Sequence, residues 1–262
     1  MENKEITEIA YDYDKLLQRI LDIGEEMIVA GAEVNRVEDS IYRMCEAYGA
    51  DRINVFIITS NIQVTLESPD GKIITHIRRI VRYSVNFDRL DYLNDLSRWI
   101  CANKPNDREL KKRFYEVLDR PKQKRIVKYL AAVMVAGGFT VFFGGGWGDA
   151  AAAALMGIVI VAFEHLIDGR ETNLLAYNFI VSVVAGLFAL AMVHIGLGQN
   201  ADKIMIGGIM LLIPGIAMTN AVRDMLIGDI ASGLLRLVDA LLIAGAIACG
   251  FALAIFVLGG FL

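Results

Sequence analysis

The chain contains little cysteine, histidine and proline: three, three and four of its 262 residues. Cys45, Cys101 and Cys249 lie far apart, with neither a CxxC pair nor a histidine at ligand spacing. This scatter argues against a structural zinc site and against a disulfide-stapled secreted domain. Residues 1–15 are charged throughout and lack an apolar segment, so we expect no cleavable signal peptide. The net charge of -4 gives no general reason to expect nucleic acid as a partner.

Charge is scarce in the second half of the chain. Residues 1–128 contain 22 basic and 22 acidic residues, whereas residues 129–262 contain 4 basic and 8 acidic ones. The mean hydropathy of +0.48 therefore averages two segments of different solvent preference. This difference rules out a single soluble globule. It predicts a charged domain over residues 1–121 and a membrane domain over residues 122–262.

Apolar runs in the second half are long enough for membrane helices, which need roughly 20 largely apolar residues. Five such spans are predicted: 129–148, 150–167, 174–198, 204–222 and 240–261. Residues 104–128 carry ten basic and four acidic residues directly before the first span, which predicts a cytoplasmic flank. We therefore expect a multi-pass protein of the cell (plasma or inner) membrane, in contact with lipid. Its N-terminal domain is cytoplasmic and its C-terminus is outside.

The predicted spans are rich in glycine and alanine, which indicates close helix packing in lipid. Gly144–Gly146 is read as a tight turn rather than a phosphate loop, because the Lys-Ser/Thr of a P-loop does not follow it. Glu164, beside His165, is an ionisable residue near a span end; it is either functional or reaches out to the interface. Asp149 is explained more simply as a helix cap at the outer end of the same span.

The most concentrated polar stretch follows Pro214 and Gly215. These two residues interrupt the fourth span, and such a break frees backbone carbonyls, which transporters use in substrate sites. Asn220, Arg223 and Asp224 follow at i, i+3 and i+4 on one helical face. A structural kink with ordinary interfacial charges is the alternative. We favour a functional site, because the break and the polar face are adjacent.

The first half of the chain has the pattern of an α+β domain. Helical periodicity covers residues 14–30 and 34–45, and further helices are predicted over 88–101 and 107–118. Between them, three strand-like runs are separated by turn signals, which predicts a small antiparallel meander. The expected fold is thus a membrane all-α bundle of five helices preceded by a cytoplasmic α+β domain. No nucleophile with a base, paired carboxylates or metal spacing stands out, so an enzyme is not expected.

Two groups of residues resemble the threonine/serine exporter (ThrE) family. In the first half, the resemblance is carried by the run Gly31-Ala32-Glu33-Val34-Asn35-Arg36-Val37-Glu38-Asp39, with Gly49-Ala50 and Asn94-Asp95-Leu96-Ser97-Arg98. In the second half, it is carried by Leu212-Ile213-Pro214-Gly215, Thr219-Asn220, Arg223-Asp224, Gly228-Asp229, Ser232-Gly233 and Arg236. The similarity extends over nearly the whole chain, and the motifs occur in the same order.

The resemblance implies secondary export of small carboxylate-bearing metabolites, either threonine and serine or dicarboxylates such as succinate, without a cofactor. The implied transport path comprises Pro214, Gly215, Asn220, Arg223, Asp224, Asp229 and Arg236. The resemblance also suggests that Gly31, Glu33, Arg36 and Glu38 matter in the soluble domain. Coupling to protons is expected, with Glu164 and Asp149 as candidate carriers.

Fused members of this family have about ten spans, twice the number predicted for this chain. The resemblance is to the split form, so we expect a second small five-span membrane protein, or a homo-oligomer, as partner. Two five-span units can pack as an inverted repeat. The alternative hypothesis is a non-transporting membrane scaffold or sensor, whose soluble domain binds a ligand or partner.

Overall fold

The computed structural model describes residues 11–81, 84–121, 123–167 and 173–258. Within these ranges the chain is mostly helical and has one small sheet. It divides into two compact units. The first unit consists of Met1–Pro121 and Asn220–Leu235, and the second of Lys122–Thr219 and Arg236–Leu262.

Four helices of the first unit come from the charged half of the chain: α1 (Tyr13–Val29), α2 (Val34–Ala47), α3 (Phe87–Asn103) and α4 (Asp107–Leu118). Three of them begin at a polar cap, because the side chains of Asp12, Asn86 and Asn106 accept a backbone N–H in the first turn. The apolar residues of each helix recur on one face and are buried in a common core. The helices predicted from this periodicity are confirmed.

The sheet of the first unit contains β1 (Asp51–Ile58), β2 (Asn61–Glu67) and β3 (Ile73–Arg79). The strand order is β1-β2-β3, and both pairs are antiparallel, which confirms the predicted meander. Alternate residues of β2 point into the core: Ile62, Val64 and Leu66 are buried. One face of the sheet therefore closes the core that the helices cover from the other side.

A later part of the chain completes the first unit. It contains the end of α9 (Gly215–Leu226), a turn at Gly228 and the start of α10 (Ile230–Leu258). Gly228 has φ +104, a left-handed conformation that lets the chain reverse between the two helices. The two helices pack closely, since a Cβ on Gly233 would lie 2.6 Å from the Ala221 carbonyl oxygen.

The second unit is a bundle of apolar helices. It contains α5 (Arg125–Phe142), α6 (Trp147–Ile167), α7 (Leu174–His194) and α8 (Ala201–Leu212), together with the start of α9 and most of α10. Glycine lets the helices approach closely: a Cβ on Gly157 would lie 2.8 Å from the Ala132 carbonyl oxygen. On Gly250 it would lie 2.6 Å from the Phe179 carbonyl oxygen. The predicted packing through small residues is confirmed at these contacts.

Four helices are long and apolar enough to cross a membrane: Arg125–Phe142, Trp147–Leu166, Leu174–His194 and Ile230–Leu258. A fifth candidate is the pair α8 and α9, which together are long and apolar enough and are bent by 57° at the break. The described part of the chain therefore contains four candidate spans, or five if the bent pair is one span. The break between α8 and α9 lies at Ile213 and Pro214, as the sequence indicates.

Helix boundaries differ from the predicted spans at positions where a charged residue sets the predicted end of the span. α5 begins at Arg125, before the predicted start at residue 129, and α10 begins at Ile230, before the predicted start at residue 240. Lysine, arginine and aspartate do not break a helix, so the helices continue through the charged flanks. The tight turn that the sequence predicts at Gly144–Gly146 is confirmed between α5 and α6, and Gly144 has φ +88. Residues 259–261 of the last predicted span lie outside the described residues.

Candidate functional site

The break between α8 and α9 interrupts the backbone hydrogen bonds of the helix. Pro214 has no N–H for the carbonyl of Met210, and the Gly215 N–H donates to Ile213 at 2.8 Å rather than to Leu211. The two earlier carbonyls thus lose their helical donors. The helix resumes when the Met218 N–H donates to the Pro214 carbonyl at 3.0 Å. This local geometry is the kind of interruption that the sequence predicts.

The polar face of α9 contacts the turn between α1 and α2. The Arg223 Nη1 atom lies 2.7 Å from Glu33 Oε1, which is an ion pair with a hydrogen bond. The Asn220 Nδ2 atom donates to the Gly31 carbonyl at 3.5 Å. All four residues belong to the first unit. The two groups of residues that carry the family resemblance thus meet at this contact.

The local fold of the turn explains why Gly31 and Glu33 are available for this contact. Gly31 has φ +96 and follows the end of α1, where the Ala32 N–H donates to the Met27 carbonyl at 3.0 Å. This is a common helix ending at glycine. Glu33 then occupies the cap position of α2 with an extended backbone, but its side chain makes no cap hydrogen bond. Its carboxylate is therefore directed to Arg223 instead.

The two partners of the ion pair differ in their exposure to solvent. The Glu33 side chain is 20% exposed, whereas the Arg223 side chain is 58% exposed. In the part of the chain that the structure describes, Glu33 is the one carboxylate within ion-pair distance of Arg223. Arg223 also lies in the last turn of α9, where a cation stabilises the helix through its dipole. The guanidinium therefore binds one carboxylate while more than half of its surface remains open.

Two further carboxylates, Glu38 and Asp229, lie near each other in the first unit. Glu38, on α2, accepts the Ile57 N–H at 3.2 Å. Burial raises the pKa of Glu38, and the negative charge of Asp229 raises the pKa further. Asp229 lies between α9 and α10, and its N–H donates to the Asp224 carbonyl at 2.9 Å. The structure thus brings Asp229, a site residue implied by the resemblance, near Glu38 of α2.

The remaining residues of the implied path are buried or lie at the break. Asp224 is fully buried in the first unit, although its neighbour Arg223 is exposed. Arg236 is 5% exposed and belongs to the second unit, as do Pro214 and Gly215. Burial of an aspartate and an arginine costs free energy unless other groups compensate the charges. The residue types at both positions are therefore restricted by their surroundings.

Asp149, a candidate proton carrier, is held by four hydrogen bonds. Its carboxylate accepts the backbone N–H groups of Gly146 at 2.9 Å, Gln199 at 2.6 Å and Asn200 at 2.9 Å. The Asn200 side-chain amide donates at 2.9 Å as well. Asp149 therefore joins the α5–α6 turn to the α7–α8 turn. This geometry agrees with the cap that the sequence offers as the simpler explanation.

Glu164, the other candidate proton carrier, forms an ion pair with Lys128. Lys128 Nζ and Glu164 Oε1 are 3.1 Å apart, and both side chains are about half exposed, at 49% and 50%. The neighbouring His165 ring stacks on Tyr129, with ring centroids 5.6 Å apart. The Lys128 contact joins the beginning of α5 to the end of α6. Among the described residues, no group of three His, Cys, Asp or Glu side chains is arranged to hold a metal ion.

The contact between Glu33 and Arg223 is the feature that the sequence does not reveal. The two residues are 190 positions apart, and neither periodicity nor spacing relates them. One signal is available in the sequence, namely that both lie in the segments that carry the family resemblance. That signal indicates importance for each residue but not their pairing.

Apolar helices long enough to cross a membrane, together with a helix pair broken at a proline, indicate a multi-pass membrane protein. The chain belongs to the ThrE family, because the family model described as "Putative threonine/serine exporter" matches residues 18–258. It is thus a transporter family member rather than an enzyme.

Curated relatives are similar over most of this chain. A "Probable threonine/serine exporter" of Mycobacterium tuberculosis is 25% identical over 240 residues, which are 90% of this chain and 45% of that protein. The chain therefore spans about half the length of this relative. A "Probable succinate transporter subunit YjjP" of Klebsiella aerogenes is 26% identical over 86% of each chain. The Escherichia coli protein of the same name is 24% identical over 91% of this chain and 93% of its own. No solved structure matches the chain.

Proposed function

We propose that the chain is a subunit of a secondary transporter that exports small carboxylate-bearing metabolites. The substrates are amino acids of the threonine and serine type, or dicarboxylates such as succinate. The names of the relatives support both substrate types, which share the carboxylate group. The common chemistry is therefore recognition of a carboxylate.

The observation that carries this proposal is the contact of Arg223 with a carboxylate at 2.7 Å. A guanidinium binds carboxylates through a planar set of donors, and it retains its charge at all physiological pH values. Arg223 lies on the helix that follows the break at Pro214, and its side chain is 58% exposed. It therefore has the chemistry and the accessibility of a substrate contact.

The proposed transport path keeps the residues implied by the family resemblance. Arg223 binds the substrate carboxylate and Asn220 offers an amide beside it. Asp224 and Arg236 add one acidic and one basic buried side chain to the set. The full set is Pro214, Gly215, Asn220, Arg223, Asp224, Asp229 and Arg236.

Five spans are proposed, with α8 and α9 forming one broken span rather than a re-entrant loop. The end of α9 contacts the N-terminal domain through Arg223 and Glu33, so both lie on the same side of the membrane. Three helices, α5 to α7, cross the membrane between them. A fourth crossing is needed to return the chain to that side. The basic flank before α5 supports a cytoplasmic location for this side, which leaves the C-terminus outside.

Proton coupling is proposed to involve Glu164 or Asp149. The two residues differ in their contacts: Glu164 faces a single lysine and is half exposed, whereas Asp149 accepts four hydrogen bonds. A half-exposed carboxylate exchanges protons with water more readily than one that holds two turns together. The contacts therefore support Glu164 as the first of the two to test.

A second membrane protein of similar size, or another copy of this chain, is the proposed partner. Two relatives that match over 86% and 93% of their length are named as transporter subunits. Apolar side chains on the spans, such as Phe142 at 78% and Phe256 at 86% exposure, offer surface both for lipid and for such a partner.

Counterflow of labelled serine, threonine and succinate in proteoliposomes tests the proposal. The chain is reconstituted alone and together with a candidate five-span partner. Uptake in the mixed vesicles and none with either protein alone is expected if the partner is a second protein. Uptake by an oligomer of the chain alone is expected if the partner is another copy. Full uptake by the chain as a monomer would refute the subunit assignment, and the absence of uptake with folded protein would refute transport of these substrates.

The scaffold or sensor hypothesis rests on one feature of the soluble domain. An open groove of ≈ 430 Å³ lies between α2 and β1, lined by residues that include Asn35, Glu38 and Tyr42. A polar groove of this size fits a small metabolite. Binding of serine or succinate at this groove, without flux in the mixed vesicles, is the result that favours this function.

A further inference from the structure

We propose that Glu33 and the carboxylate of the substrate compete for Arg223. The inference rests on the proposed function, in which Arg223 binds the substrate carboxylate, and it adds a role for Glu33. In this arrangement, the guanidinium exchanges between an internal carboxylate on the soluble domain and an external one on the substrate. Glu33 thus sets the affinity for substrate.

The first argument is the position of the Glu33 carboxylate. It lies 2.7 Å from the guanidinium, which is the distance of a charge-assisted hydrogen bond. The backbone of Glu33 is held in place by the start of α2, because the Val37 N–H donates to the Glu33 carbonyl at 3.2 Å. Its carboxylate is not used as a helix cap. Because the Glu33 carboxylate does not cap α2, it is available to bind Arg223.

The second argument is the exposure of the two partners. Arg223 is 58% exposed, so a small anion reaches the guanidinium from solvent without rearrangement of the core. Because the Arg223 side of the pair is largely exposed, solvent screens the interaction, so a competing carboxylate displaces Glu33 at a modest cost. Two carboxylates on one guanidinium repel each other, which favours exchange over simultaneous binding.

The exchange has a structural consequence. The ion pair is one polar contact between α9 and the α1–α2 turn, and the long hydrogen bond of 3.5 Å between Asn220 and Gly31 is another. Once Arg223 binds substrate, the ion pair no longer contributes to this contact. Substrate binding therefore loosens the hold of the soluble domain on α9. Release of the substrate restores the ion pair.

Equilibrium binding to the chain reconstituted with its candidate partner in lipid nanodiscs is the first test. The probes are serine, succinate and serinamide, in which a carboxamide replaces the carboxylate. Glu33→Gln removes the competing charge at nearly constant shape, and we expect a Kd about fivefold lower for serine and succinate. Glu116→Gln is the matched control, because it removes one carboxylate from an exposed pair with Lys112 at 3.9 Å on α4. Serinamide is expected to show no gain.

Hydrogen exchange of wild-type protein is a second measurement that needs no variant. We expect saturating succinate to speed exchange of the backbone amides of residues 31–34, because Glu33 is released. Slower or unchanged exchange at saturation overturns the competition.

The outcomes separate this inference from the proposed function. If wild type binds the probes, Arg223→Gln does not, and Glu33→Gln binds no more tightly than wild type, then the competition is refuted and Arg223 remains a substrate contact. If neither wild type nor Glu33→Gln binds any probe although both melt like folded protein, then both the substrate class and the competition are refuted.

Discussion

Glu33 and Arg223 form an ion pair of 2.7 Å although 190 positions separate them along the chain. Glu33 lies at the start of the second helix of the soluble domain, and Arg223 lies in the last turn of the helix that follows the proline break. The helix that follows the proline break thus contacts the α1–α2 turn through this ion pair and through the long hydrogen bond between Asn220 and Gly31. In the proposed function, this contact links the α1–α2 turn to the transport path.

Replacement of Arg223 by Ala is expected to abolish flux of serine and succinate in the mixed vesicles. The protein should stay folded, because an exposed ion pair contributes about 1 kcal/mol or less to stability. Counterflow and the melting temperature, Tm, are measured together. Lys112→Ala, which removes a 76% exposed lysine 3.9 Å from Glu116, is the control and should transport normally. Unaltered flux in Arg223→Ala would remove this residue from the path.

Replacement of Asp149 by Ala is expected to destabilise the second unit by about 1–3 kcal/mol, because three backbone N–H groups lose their acceptor. Asp202→Ala, which removes a carboxylate with 66% exposure, should leave Tm nearly unchanged.

The same variants decide between the structural and the proton-carrying role of Asp149. A structural role predicts a lower Tm and an unchanged pH dependence of the residual flux. Loss of the pH dependence at a normal Tm would instead identify Asp149 as a proton carrier. Glu164→Gln, tested in parallel, should alter the pH dependence of flux with little change in Tm.

Replacement of Glu38 by Gln is expected to stabilise the protein increasingly as the pH rises. Burial, and then the charge of Asp229, raise the pKa of Glu38, so the folded state binds this proton more tightly than the unfolded state. The resulting stabilisation of wild type is complete below the ordinary carboxyl pKa, and it is lost as the pH rises through the raised value. Gln keeps an acceptor for the Ile57 N–H and does not titrate.

The difference in Tm between Glu38→Gln and wild type is the quantity to measure, from acid to neutral pH. It should grow with pH, whereas Glu116→Gln should show no such trend. A constant difference across this range would contradict the raised pKa of Glu38.

Replacement of Gly250 by Ala is expected to destabilise the bundle by about 1–3 kcal/mol, because the new Cβ would lie 2.6 Å from both the Phe179 carbonyl oxygen and Ser182 Cβ. Gly245 on the same helix is the control, since a Cβ there has no neighbour within 4 Å. Gly245→Ala should leave Tm unchanged or slightly higher. Equal effects of the two substitutions would show that helix propensity, rather than packing, determines the change.

Local patterns in the sequence predict most of the elements. The apolar period of α1 and α2, and the turn signals around Ser60 and Gly71, depend on residues that are neighbours in the chain. Pro214 identifies the break between α8 and α9 for the same reason, since a missing N–H acts within one helical turn. The start of α10 is harder to predict, because charged residues near Arg236 indicate contact with water rather than lipid but do not end a helix.

The contacts of the candidate site depend on long-range folding, and they are not predictable from one sequence. Asn220 and Arg223 share a helical face by spacing, but nothing local indicates that this face meets Gly31 and Glu33. Asp149 is correctly read as a capping residue, whereas its contact with Asn200 requires the return of α7 to the same end of the bundle. Chain topology, rather than local preference, determines these pairs.

Residues 220–235 complete a unit whose other residues are 1–121, and this has a consequence for biosynthesis. The ribosome makes the N-terminal residues first, and domains generally fold as they emerge. Here, however, four helices (α5 to α8) and the start of α9 are synthesised before the last segment of the first unit exists. The N-terminal part of the unit therefore gains its last segment only after those helices have been synthesised.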